Sequence, residues 1–133
     1  MELKNELFAV KLYELQKAYD TLLSCVEALS GKDRSKLAKR FDTVRGELDE
    51  ELRSLKRYSG YSRLPLVSML SKVQLDYYEK FGEIAEEDAD NYEMDNAEKT
   101  ALCAEYLIDS AVYSVRQAMA AALRAALMQD ENK

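Results

Sequence analysis

At 133 residues with a formal charge of −6, the chain is one domain long and has no surplus of bases with which to grip phosphates, so nucleic-acid binding is disfavoured. It contains no histidine, which excludes His-based acid–base catalysis, Ser-His and Cys-His nucleophiles and imidazole metal ligands, and leaves carboxylate sites for Mg²⁺ or Mn²⁺. Four Gly and one Pro in a text rich in Leu, Ala, Glu, Lys and Arg predict an all-α class.

The first predicted helix covers about 2–30. Phe8, Leu12, Leu15, Tyr19, Leu22, Val26 and Leu29 recur at alternating steps of four and three, the seam of a coiled coil. Gly31 is expected to stop it in a left-handed turn, and Asp33 to cap the next helix. That second helix, 33–59, carries Leu37, Phe41, Val44, Leu48, Leu52 and Leu55, with Gly46 inside it at about 1 kcal/mol relative to Ala. Gly60 then ends it, Ser62 is a candidate cap, and Pro65 falls in the first turn of a third helix over 63–87. There Leu66, Leu70, Val73, Tyr77, Phe81 and Ile84 are expected to continue the core. An acidic connection at 86–96 follows, and the acids from Glu83 to Glu98 meet no base before Lys99. Asp95 with Glu98 makes a capping-box start for the last helix, 95–129, and the tail from Asp130 is expected to fray.

That last helix has two neighbouring rows of small and apolar residues. Leu107, Ala111, Ala118, Ala121, Ala125 and Met128 lie on one of them, with Ser114, and form the expected interface, because small side chains let helices approach closely. The predicted architecture is an elongated up-down-up-down antiparallel four-helix bundle in a single domain, with helices about 38 to 52 Å long.

The longest apolar run, Ala118 to Leu123, falls far short of the roughly 20 residues that span a membrane. Glu2 and Glu6 break any apolar segment a secretion leader would need. Cys25 and Cys103 lack CxxC spacing and read as thiols. A cytoplasmic setting without membrane contact is expected.

Helix two and its flanks gather ten bases between Lys32 and Arg63, interleaved with six acids, the composition of a solvated face. The alternating Asp88 and Asp90 suggest a calcium loop, but the sixth and twelfth positions hold Glu93 and Lys99 where an EF-hand needs Gly and Glu. Glu79 and Glu83 share one helical face, as do Glu105 and Asp109. If those faces met, the four carboxylates would bind Mg²⁺, with Glu83, Glu105 and Asp109 as metal ligands.

The text Glu79-Lys-Phe-Gly-Glu83-Ile-Ala-Glu86 with Glu105-Tyr-Leu-Ile-Asp109 resembles the MazG-type all-α nucleoside triphosphate pyrophosphatases over about a quarter of the chain. The resemblance implies Mg²⁺-dependent hydrolysis of a nucleotide to its monophosphate and pyrophosphate. The family's ExxE and ExxD pairs are broken here, with Lys80 preceding Glu83 and Tyr106 preceding Asp109. The leading expectation is therefore a non-catalytic interaction or scaffold protein without catalytic residues, metal or cofactor, whose partner is itself or another helical protein. The Mg²⁺-dependent hydrolase is the alternative.

Overall fold

A computed structural model describes residues 6–31, 33–60 and 63–131. It contains four α-helices, α1 (Glu6–Ala28), α2 (Arg34–Gly60), α3 (Pro65–Glu86) and α4 (Asn96–Glu131), and no strand among the described residues. The start of α1 expected at residues 2–5, Lys32 of the first connection and the expected cap Ser62 lie outside the described residues.

The helices begin where short side chains satisfy their first N–H groups. Asp33 Oδ1 accepts from the backbone N–H of Ser35 at 3.0 Å and of Lys36 at 3.2 Å, so it caps α2 as its position predicts. Pro65 occupies the first turn of α3, where its missing donor would have been unpaired in any case. Asp95 Oδ1 accepts from the Glu98 N–H at 2.8 Å and opens α4.

The helix ends depart from expectation in two places. Gly31 has no positive φ. The Leu29 N–H donates to the Val26 carbonyl and the Gly31 N–H to the Ala28 carbonyl, each at 3.1 Å. These tight i→i−3 bonds satisfy the last carbonyls without a left-handed residue. A Cβ on Gly31 would stand 3.2 Å from the Ala28 oxygen, so close approach to that carbonyl is what glycine permits here. At the other end, α4 runs on to Glu131, past the point where fraying was expected.

The chain divides into two units, one made of Met1–Gly46 with Met119–Lys133 and the other of Glu47–Ala118. In the first, Ser24, Cys25 and Ala28 of α1, Leu37 of α2, and Ala122, Ala125 and Gln129 of α4 are half-buried. The Arg40 guanidinium donates to the Ser24 hydroxyl at 2.8 Å and ties α2 to α1. In the second, Leu52, Leu55, Leu75, Phe81, Met94 and Cys103 are half-buried, and Ser71, Ala89 and Lys99 are buried.

The expected core is not enclosed within the chain. Among the described residues Ala89, 2% exposed, is the one buried hydrophobic side chain, and the other two buried residues are Ser71 and Lys99. The α1 seam is exposed from Phe8 to Leu29, and so are Leu66, Leu70, Val73, Tyr77 and Ile84 of α3. Instead α3 turns Ser68, Ser71 and Leu75 inward at steps of three and four. Periodicity identified residues that share a face correctly, but in this chain the more apolar face is turned out.

Candidate functional site

The four carboxylates of the hydrolase alternative all fall in the second unit. Glu79 and Glu83 stand on α3 and Glu105 and Asp109 on α4, and each is exposed. Among the described residues no three Asp, Glu or Cys side chains stand close enough together to hold a metal ion. The sequence-predicted ligands Glu83, Glu105 and Asp109 are therefore not brought together as a donor set.

The acidic connection is a built structure rather than a loop. Residues Ala89–Tyr92 form a 3₁₀ turn, which Asp88 opens by accepting from the Asp90 N–H at 3.0 Å. Glu93 closes it in the left-handed conformation, with φ 56°. The Tyr92 hydroxyl donates to a carboxylate oxygen of Glu87. Ala89 lies at the bottom of this turn and is buried.

Lys99 organises the same region, and sequence reasoning missed it. Only 6% exposed, its ammonium donates to the Ala85 carbonyl at 2.6 Å and to the Glu87 carbonyl. Those carbonyls close α3, where the helix leaves its last acceptors unpaired and its dipole favours a cation. The available signal was that Lys99 is the first base after a run of acids. At the start of α4, hydrogen bonds from the Glu98 backbone, then from the Glu98 side chain, hold the Asp95 carboxyl below its ordinary range. The side-chain hydrogen bond to Asp95, and then the nearby Asp95 charge, push Glu98 up.

Tyr77 packs edge-on against Tyr78, with ring centroids 5.3 Å apart, and tilted against Phe81 at 5.0 Å. Burial first, then Tyr77 and Glu51, raise the Tyr78 phenol above its usual value. Glu51 lies on α2, so the charge that reaches the Tyr78 phenol comes from another helix of the second unit.

The surfaces left over are apolar and helical. On the predicted interface of α4, Leu107, Ala111, Ala118, Ala121 and Met128 are exposed, whereas Ala125 is half-buried with Ala122. Ile108, Val112, Val115 and Met119, on the adjoining row, are exposed as well. No helix of the described residues is long and apolar enough to cross a membrane. Comparison with known protein families, with curated proteins and with solved structures finds no match for this chain.

Proposed function

We propose that the chain acts by association: it is a non-catalytic helical interaction or scaffold protein that pairs with itself through the Ala-rich face of α4. The carrying observation is the uncovered apolar surface. Exposed rows such as Ile108, Val112, Val115 and Met119 are what a helical partner covers. Cys25 and Cys103 are free thiols, which supports a reducing, cytoplasmic setting for the same reading.

Size-exclusion chromatography with light scattering tests it. The expected result is a dimer or larger assembly that Ala121→Glu, placing a charge on the α4 face, dissociates at least tenfold more readily. A clean monomer at high concentration would overturn the proposal. So would Mg²⁺-dependent turnover of nucleoside triphosphates that Asp109→Asn abolishes, since a hydrolase would then be at work.

A further inference from the structure

We draw no further inference here: the strongest candidate, the exposed apolar seam of α1 that runs from Phe8 to Val26, carries none because nothing in the structure shows what covers it.

Discussion

The Lys99 ammonium on α4 donates to the Ala85 carbonyl on α3 at 2.6 Å. A cation from the first turn of one helix thus closes the end of the helix before it. The bond spans the acidic connection, and with Lys99 6% exposed water does not readily replace it.

Lys99→Met keeps most of the side chain's volume and removes the donor. Hydrogen bonds from charged groups contribute about 1.5–3 kcal/mol, so the variant should lose stability of that order. Urea unfolding at fixed protein concentration measures it, since stability and self-association are linked. A loss below about 0.5 kcal/mol, the range of an ordinary surface change, would mean that Lys99 does not hold the connection.

The start of α4 responds to acid through two carboxyls whose shifts oppose each other. Asp95 is lowered from 3.8, so its contribution to stability is present above that value and is lost as the pH falls through its lower folded value. Glu98 is raised from 4.5, so its contribution is present below 4.5 and lost as the pH rises through its higher folded value. Asp95→Asn keeps a capping oxygen but removes the charge and the carboxylate acceptor. Glu98 should then titrate closer to 4.5, as followed by NMR of its side-chain carboxyl. An unmoved Glu98 titration would show that the two are not coupled.

Gly46 lies within α2, and a Cβ placed there meets nothing within 4 Å. Gly46→Ala should therefore stabilise the chain by up to about 1 kcal/mol through helix propensity alone. A thermal melt at low concentration reads the gain. Should the same variant weaken assembly at high concentration, a second copy crosses α2 at that residue.

Tyr78 should be among the last phenols to ionise. Its pKa is raised from 10.0 by burial, Tyr77 and Glu51, so its contribution is fully present below pH 10 and is lost as the pH rises through the folded value. Spectrophotometric titration of Tyr78→Phe should lose amplitude from the alkaline end of the curve. Loss from the early part instead would contradict the burial of the Tyr78 phenol.

Helix number and starts were legible because they depend on local chemistry. Asp33 and Asp95 have the right oxygen at the right distance from the chain they cap, and Pro65 marks its own turn. Burial was not legible. Phe8 and Leu12 have the spacing of a core seam and are exposed, because the pattern records that a surface must be covered and is silent on which chain covers it. Ser71 is buried on a helix whose leucines and valines argued for a different inward face. The carboxylates were misleading for a related reason. Spacing placed Glu79 with Glu83 and Glu105 with Asp109, but bringing two pairs together depends on how α3 and α4 are turned, and their local sequences do not encode that.

The division of the chain has a practical result for anyone who shortens it. Met1–Gly46 is completed by Met119–Lys133, so a fragment ending before Met119 removes Ala122, Ala125 and Gln129, half-buried residues of that same unit. Such a deletion would look like the trimming of a distal tail while dismantling the environment of α1. Loss of binding in a shortened chain would then report damage at the opposite end of the sequence from the cut.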